Sequence, residues 1–523
     1  MNRKWWTLAA VVTGVFMLLL DVTIVNVALP DIERQFDASL SDVQWVIDAY
    51  ALTLAALLLT AGSLADLLGR RRVFAVGIAI FTAGSLLCGV AGSALVLSLS
   101  RAFQGIGGAV MFATALALLA DAFRGRDRGV AFGAFGAVAG IAVAVGPVLG
   151  GAITSGLSWR WIFFVNVPVG LAAIAITLLR VAESRDPAAQ RPDWLGFGAF
   201  SGGLAALVYG LIKSSSDGWG SELVVACMVA SALLLVAFLA IEARRREPMF
   251  DLGLLRKPTF VGGLTSAFAI SASLFSLLTF IVLYFQNVLG YSAIGTGLRL
   301  LALTGAIFVS AGIAGRLSSA VPVRLLIGPG FVLIGAALLL MRGLSPASDW
   351  THLVPGLVVA GIGAGMVTVP LASTAVGVVH HTRAGMASGV NTTFRQVGIA
   401  AGVAALGSIL ASSIRDSVVS GLAQTPLADH SHRIALEVST GHTAHAIAAA
   451  PAAARAQLGA VSQSSFVDGL NLILLIGAAI AFAAAALALA LIRQRDFVES
   501  TDDAGVSLQE GVATGPRAEG VPA

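Results

Sequence analysis

Apolar stretches without charged residues recur along the whole chain, and short polar or basic segments separate them. The longest occupy 73–100, 129–159, 161–179, 223–241, 258–298 and 469–492. A helix of about 20 apolar residues crosses a bilayer, and at such lengths only helices satisfy their own backbone hydrogen bonds in lipid. The pattern therefore predicts an all-α polytopic membrane protein.

Fourteen membrane-spanning helices are predicted from these stretches and their weaker neighbours. Their approximate ranges are 7–29, 44–66, 74–96, 98–120, 129–152, 161–180, 194–212, 223–242, 259–286, 294–314, 324–342, 352–377, 386–411 and 469–492. The basic N-terminus and the apolar run that continues to Pro30 predict an uncleaved first span. An even number of spans then places both termini on the same side of the membrane.

A weak internal repeat relates the two halves of the chain. GSLADLLGRR at 62–71 aligns with GRLSSAVPVR at 315–324, with identical Gly, Leu and Arg. The copies lie eight helices apart if the pair at 194–242 is an insertion, which is compatible with two six-helix bundles. The predicted domains are an N-terminal six-helix bundle (1–193), two inserted linker helices (194–258), a C-terminal six-helix bundle (259–496) with a long outer loop (413–466), and a disordered cytoplasmic tail (497–523).

Composition and charge support this topology. Hydrophobic residues make up 57% of the chain and charged residues only 11%, whereas soluble domains carry about 25% charged residues. With the N-terminus in the cytoplasm, the cytoplasmic segments hold 21 of the 32 lysines and arginines, as the positive-inside rule predicts. The net charge of +4 therefore indicates basic loops beside anionic lipid, not nucleic-acid binding. Cys88 and Cys227 fall inside predicted helices and indicate no disulfide framework.

An acidic residue, Asp21, interrupts the apolar run MLLLDVTIVNVALP. It lies about 13 Å below the outer end of its helix, where an acid costs a few kcal/mol. Asp48 and Arg101 are predicted at similar outer depths of the second and fourth helices, so all three residues are expected to meet in one cavity. Such a carboxylate is suited to loading and releasing a proton. The alternative is a static ion cluster that only orients helices.

The loop sequence GSLADLLGRRR combines small, acidic and basic residues. Gly62 is expected to allow close helix approach and Gly69 to turn the chain. Asp66 can pair with arginines such as Arg70 and Arg71, which would form a latch that holds one conformation until it breaks. The alternative is a charged loop that only orients the neighbouring helices.

A second motif, AVAVGPVLGG, places small residues around a proline in the fifth predicted helix. Gly146, Gly150 and Gly151 allow close helix contact, and Pro147 removes one backbone hydrogen bond and bends the helix. The bend could shape a substrate cavity and block a leak. A purely structural kink would have the same sequence.

These motifs resemble those of the major facilitator superfamily. GSLADLLGRRR is similar to its cytoplasmic loop signature, although Leu67 stands where a basic residue is common. AVAVGPVLGG resembles the antiporter signature of fifth helices in drug exporters, with Ala142 at a position that is usually glycine. LDVTIVNVALP, SRAFQGIGGA, WRWIFFVNVPVG and ASGVNTTFRQVGIAAG are similar to the first, fourth, sixth and penultimate helices of its fourteen-helix drug:proton antiporter family. The resemblance implies the major facilitator fold, two six-helix bundles plus two inserted helices, and export of varied drugs or antibiotics in exchange for protons.

Further polar residues inside predicted spans are candidates to line a substrate cavity. They are Asn26, Gln104, Asn391, Arg395 and Gln396. Arg395 with Gln396 could hold an anionic group or a carboxylate from the opposite bundle. The alternative for this pair is a hydrogen bond between packed helices.

No cofactor or metal is predicted, and protons are the expected coupling ion. The chain lacks a GxxxxGK[ST] loop, a metal-ligand set and a nucleophile–base pair, so an enzyme is not expected. The expected partners are lipophilic small-molecule drugs, cationic ones included, and the lipid bilayer of a bacterial inner membrane. The protein is expected to be a monomer with both termini cytoplasmic. The alternative is a proton-coupled transporter of another cargo, such as a metabolite, lipid or siderophore.

Overall fold

The computed structural model describes residues 3–123, 126–185, 193–245, 252–318, 321–379 and 384–497. Every regular element in these ranges is helical, which confirms the predicted fold class. Eleven helices are long and apolar enough to cross a membrane, and the number rises to thirteen if two bent helices each count as one span. The remaining predicted span coincides with a shorter apolar helix, Arg324–Leu340, so the count of fourteen stays a prediction.

The helices are numbered here in chain order. They are α1 Arg3–Phe36, α2 Leu40–Leu68, α3 Arg70–Gly89, α4 Ala94–Ala122, α5 Arg126–Gly156, α6 Trp161–Arg180, α7 Trp194–Asp217, α8 Glu222–Arg244, α9 Pro258–Val288, α10 Ala293–Leu317, α11 Arg324–Leu340, α12 Val354–Gly377, α13 Ala384–Leu422, α14 Ser431–Ser439, α15 Thr443–Ala449 and α16 Arg455–Leu491.

Local sequence explains where α2 begins and ends. The Asp42 amide donates to the Ser39 hydroxyl (3.2 Å), and the Ser39 amide donates to the Asp42 carboxylate (2.9 Å). This reciprocal capping box satisfies amides that have no partner inside the helix. At the other end, Gly69 adopts a φ of 109°, a left-handed conformation that glycine tolerates best. The chain can therefore turn directly from α2 into α3.

The spanning helices form two halves, which we call the N half (α1–α6) and the C half (α9–α13 and α16). Within the N half, α2 and α3 pack on α4, and α1 packs on α5. Within the C half, α10 and α11 pack on α12, and α16 packs on α11 and α13. The halves meet through α5 with α10 and through α2 with α13. The α7–α8 pair lies beside this second contact, where Ser214 and Ser408 share a 2.7 Å hydrogen bond.

The two halves touch at one end of the bundle and separate toward the other. We call the end where α1 begins and α16 ends the terminal face, and the end with the α1–α2 turn the opposite face. At the opposite face, Gln286 Nε2 donates to the Val27 carbonyl (2.8 Å). Along α5, a Cβ on Gly151 would lie 2.6 Å from Ile294 Cα of α10, and one on Gly140, three turns nearer the terminal face, would lie 3.9 Å from the Phe308 ring. One turn further, a Cβ on Gly136 would meet no atom of the described residues within 4 Å. The gap between α5 and α10 therefore widens toward the terminal face.

The segment predicted as an outer loop, 413–466, is largely helical in the structure. Helix α13 continues to Leu422, α16 begins at Arg455, and the short helices α14 and α15 lie between them. Ile434, Ala435 and Val438 form one buried apolar stripe on α14. The Leu40 amide of the N half donates to the Thr440 carbonyl (2.7 Å), so this segment covers the opposite face.

The predicted disordered tail, 497–523, lies outside the described residues except for Phe497. Phe497 itself packs beside Gly377 at the end of α12.

Candidate functional site

A buried ion pair joins α1 to α4 inside the N half. The Arg101 guanidinium donates from Nη1 to Asp21 Oδ2 at 2.5 Å. Asp21 is 1% exposed and Arg101 2% exposed. Arg101 also donates from Nε to the Val46 carbonyl (3.1 Å), which ties α2 to the same point. The predicted contact between Asp21 and Arg101 is present.

Three further polar side chains complete a network around this ion pair. Gln104 donates from Nε2 to Asp21 Oδ1 (2.9 Å) and to Ser85 Oγ (2.7 Å), and its Oε1 accepts from Arg101 Nη1 (2.6 Å). Asn166 donates from Nδ2 to Asp21 Oδ1 (3.2 Å) and to Ser85 Oγ (3.1 Å). Side chains from α1, α3, α4 and α6 therefore converge on one carboxylate.

Ser85 and Asn166 were not predicted from the sequence. Asn166 lies in the stretch WRWIFFVNVPVG, where it is the single amide side chain in an apolar helix. That isolated amide could have marked it as a candidate. Ser85 offers no such signal, because serine is common where membrane helices pack closely. Gln104, predicted for a substrate cavity, is instead fully engaged with the ion pair.

Aromatic rings enclose the Arg101 guanidinium. Its central carbon lies 4.2 Å from the centroid of the Tyr50 ring and 5.8 Å from that of Phe163. Cation–π contacts of this kind stabilise a guanidinium that has little contact with water. Protonation of Asp21 would remove the counter-charge of Arg101, so the hydrogen bonds around both groups would have to rearrange.

Asp48 does not join this network, which corrects the prediction that three charged residues meet. It is 0% exposed on α2, and neither carboxylate oxygen has a hydrogen-bond partner among the described residues. Gln44, one turn earlier on α2, is also buried, and its side-chain oxygen and nitrogen have no hydrogen-bond partner among the described residues. Helix α2 therefore carries a second polar position, separate from the ion pair.

The other candidates for a substrate cavity lie on α1 and α13. Asn26 is half-buried and its Nδ2 donates to the Val22 carbonyl of its own helix (3.4 Å). Asn391 is buried, and its Nδ2 has no acceptor among the residues that the structure describes. Arg395 and Gln396 are half-buried, and in the described part of the chain their side chains have neither a hydrogen bond nor an ion pair.

The loop residues predicted as a latch form contacts within the N half. Arg70 donates from Nε to Asp66 Oδ1 (2.8 Å). The Arg71 amide donates to Glu183 Oε1 (3.0 Å), and this carboxylate lies 3.7 Å from Arg71 Nε. Glu183 follows α6, so the α2–α3 turn is tied to the end of α6. Glu183 was not predicted from the sequence.

Gly69 and Gly62 differ in what surrounds them. A Cβ on Gly69 would lie 2.7 Å from Glu183 Oε1, so a side chain at this turn would displace the Glu183 carboxylate. A Cβ on Gly62 would meet no atom of the described residues within 4 Å. The close helix approach expected at Gly62 therefore stays a prediction.

The motif glycines of α5 contact two different helices. A Cβ on Gly146 would lie 2.8 Å from Thr23 Cβ, and one on Gly150 would lie 2.8 Å from the Ile24 carbonyl oxygen, both on α1. A Cβ on Gly151 would lie 2.6 Å from Ile294 Cα on α10. The stretches on either side of residues 143–144 meet at 41°. The motif thus joins α1 of the N half to α10 of the C half.

The helical fold and these motif positions can be compared with known proteins. The model of the Major Facilitator Superfamily matches residues 11–403. The chain belongs to the major facilitator superfamily. It is 36% identical over 414 residues to the multidrug resistance protein Stp of Mycobacterium tuberculosis, an alignment that covers 79% of this chain and 77% of that protein.

A second relative of this major facilitator protein is the tetracenomycin C resistance and export protein of Streptomyces glaucescens. The two are 34% identical over 492 residues, which cover 93% of this chain and 91% of the relative. Among solved structures, a bacterial homologue of the human lysosomal transporter Spinster, in an inward-facing and occupied conformation, superposes with a TM-score of 0.64 at 18% identity. That match covers 95% of this chain and 99% of the other and bears on the fold alone.

Proposed function

We propose that this protein exports lipophilic small-molecule drugs or antibiotics, cationic ones included, in exchange for protons. The observation that carries the proposal is the buried Asp21–Arg101 ion pair and its network on α1, α3, α4 and α6. Ionisable groups inside membrane spans are costly, and those that persist usually mark proton or ion pathways. Its relatives, which are resistance and export proteins, supply the kind of cargo.

The position of Asp21 connects protonation to the contact between the halves. Thr23 and Ile24 follow it on α1 and pack directly against Gly146 and Gly150 of α5. On the same helix, Gly151 packs against α10 at the opposite face. Proton binding at Asp21 loosens its attachment to α4, and a shift of α1 is passed through α5 to the contact with α10. This is the coupling that alternating access requires.

The widening toward the terminal face indicates the side of the membrane to which this conformation opens. The terminal face carries Arg70, Arg71 and Arg72 at the start of α3, with Arg244 at the end of α8. Under the positive-inside rule, this face is cytoplasmic, in the inner membrane of a bacterium. The arrangement is then open to the cytoplasm, the side from which an exporter takes its cargo.

Proton release evoked by a drug tests the proposal. Purified protein is reconstituted with its terminal face outward in liposomes whose interior is acidic, and ethidium is added outside while the internal pH is followed. The wild type should release protons from the vesicles when ethidium is added. Asp21→Asn should lower this release at least ten-fold, because the group that binds the proton is gone.

Asp31→Asn is the matched control, since Asp31 lies on the same helix but pairs with Arg34 near the opposite face. Its proton release should equal that of the wild type. Wild-type proton release in Asp21→Asn would exclude Asp21 as the coupling group. Ethidium transport that does not respond to the pH gradient would refute proton exchange altogether.

A further inference from the structure

The terminal-face part of α13 carries hydrogen-bond donors that nothing in the described chain accepts from. Arg395 has five N–H donors, and none is bonded to a described residue. Asn391 precedes it by four residues and so lies on the same face of the helix. Asn391 is only 6% exposed, and its Nδ2 lacks an acceptor. A half-buried guanidinium and a buried amide therefore neighbour each other on α13 without acceptors among the described residues.

The C half offers no acid to neutralise Arg395. Between Pro258 and Leu422 the sequence contains two acidic residues, Asp349 and Asp416. Asp349 lies at the opposite face, where it accepts from the Tyr291 hydroxyl (3.0 Å). Asp416 is 21 residues further along α13, which corresponds to about 32 Å. Asp468 of α16 lines the same cavity as Asp416. None of these three carboxylates can therefore reach the guanidinium.

Asp48 of the N half is a further candidate partner for Arg395, because its carboxylate oxygens have no hydrogen-bond partner among the described residues. Helices α2 and α13 pack together, with Gln44 seated against Gly407. At about 1.5 Å per residue, Asp48 lies about 6 Å and Arg395 about 18 Å from this contact toward the terminal face. About 12 Å of depth therefore separates the two groups. A rocking motion of rigid halves changes the gap between facing helices rather than this difference in depth.

The chemistry of the two donors defines what would satisfy them. A guanidinium is planar, keeps its charge, and presents a fork that matches a carboxylate or phenolate oxygen pair. The Asn391 amide adds a donor on the same face. No described residue supplies a counter-charge to this half-buried guanidinium, so a ligand that brings negative oxygens gains a favourable electrostatic interaction with it.

We infer that Arg395 and Asn391 form a binding subsite for an acidic oxygen of the cargo, on a planar lipophilic carboxylate or phenolate. The inference rests on the proposed transport of lipophilic small molecules and extends it from cations to compounds that carry a negative oxygen. In the cytoplasm-open arrangement, the subsite lies in the half of the membrane from which cargo enters.

Binding of two ligands that differ only in charge tests this subsite. The probes are rhein, a planar anthraquinone carboxylate, and its uncharged methyl ester, titrated into the purified full-length protein in lipid nanodiscs at pH 7.5. The measured quantity is the ratio of the ester Kd to the rhein Kd. The wild type should prefer rhein, and Arg395→Gln should lower the ratio at least ten-fold.

Arg395→Lys keeps the charge but loses the fork, and it should lower the ratio by a smaller factor. Arg299→Gln is the matched control in the same half, since Arg299 stacks on the Tyr291 ring at 3.6 Å near the opposite face. Its ratio should match that of the wild type. An unchanged ratio in Arg395→Gln, or a wild type that binds rhein no tighter than the ester, overturns the subsite. Ethidium-evoked proton release is measured separately, so the acidic-oxygen subsite and the proposed proton exchange can each fail without the other.

Discussion

Gly297 of α10 packs against the backbone of Pro147 in α5, and no side chain fits between these two residues. A Cβ at Gly297 would lie 2.9 Å from the Pro147 carbonyl carbon and 3.2 Å from Val148 Cα. Because α5 belongs to the N half and α10 to the C half, this contact closes the opposite face. Contacts below about 3 Å require the helices to separate, so the size of residue 297 controls this closure.

Gly297→Val should therefore shift the protein away from the state that is closed at the opposite face. Spin labels at Leu157→Cys and Ala347→Cys, both exposed there and in different halves, report the separation. We expect their distance distribution to move to longer values by several ångströms in Gly297→Val. Cys227, which is partly exposed, is replaced by serine throughout.

Gly305→Val on the same helix is the control, because a Cβ there meets no atom within 4 Å in the described part of the chain. Its distance distribution should equal that of the parent. A Gly297→Val distribution identical to that of Gly305→Val would show that this glycine does not hold the opposite face closed.

The Asp21–Arg101 pair should show strong energetic coupling. Removal of one partner from a buried ion pair typically costs about 3–5 kcal/mol, because the other charge stays buried alone. We expect Asp21→Asn and Arg101→Gln each to lower thermal stability in detergent strongly, and the double variant to lose much less than the sum. The exposed pair Asp31 and Arg34 is the matched comparison, with coupling below about 1 kcal/mol. Additive losses at Asp21 and Arg101 would contradict a tight pair.

Gly69→Ala should destabilise the turn between α2 and α3. Its φ of 109° is unfavourable for any residue with a Cβ, and such strain costs about 1–3 kcal/mol. The new methyl group would also press on Glu183. Thermal unfolding in detergent measures the loss. Gly62→Ala lies within α2, where a Cβ meets no described atom within 4 Å, and it should leave the melting temperature unchanged or slightly higher. An equal fall in both variants would argue against the strained turn.

Acid pH should weaken one contact at the terminal face. The Thr259 hydroxyl donates to Asp496 Oδ2 at 2.7 Å, and the Thr259 amide donates to the same oxygen. These hydrogen bonds lower the pKa of Asp496 below its ordinary value. The lowered pKa adds stability that is present at neutral pH and is lost as the pH falls through the folded-state pKa, in the acid range.

Thr259→Val should therefore be less stable than the wild type at pH 7, with a difference that shrinks below about pH 4. Melting temperatures from pH 3 to 8 give this profile. Thr265→Val is the control, since the Thr265 hydroxyl donates to carbonyls of its own helix. A difference that stays constant over the whole pH range would show that Thr259 does not act through the Asp496 carboxylate.

Local sequence patterns were sufficient for much of the fold. Long uncharged runs predict helices because lipid offers no partners for backbone groups. The pairing of Asp21 with Arg101 also follows from the sequence, since two opposite charges at similar depth in one bundle stabilise each other. Helices α14 and α15 were missed, because an Ala- and Ser-rich composition gives weak hydropathy and their apolar stripes form only on packing.

The sequence by itself determined that this is a helical membrane protein with a buried acid, because the cost of charge and of bare backbone in lipid is local to each helix. Only the tertiary structure decided that Ser85 and Asn166 surround Asp21 while Asp48 stays apart, since these outcomes depend on which helix faces meet. The same packing sets Gly297 against the backbone of Pro147. Residue identity fixes what a side chain can do, and the arrangement of the helices fixes which partner it finds.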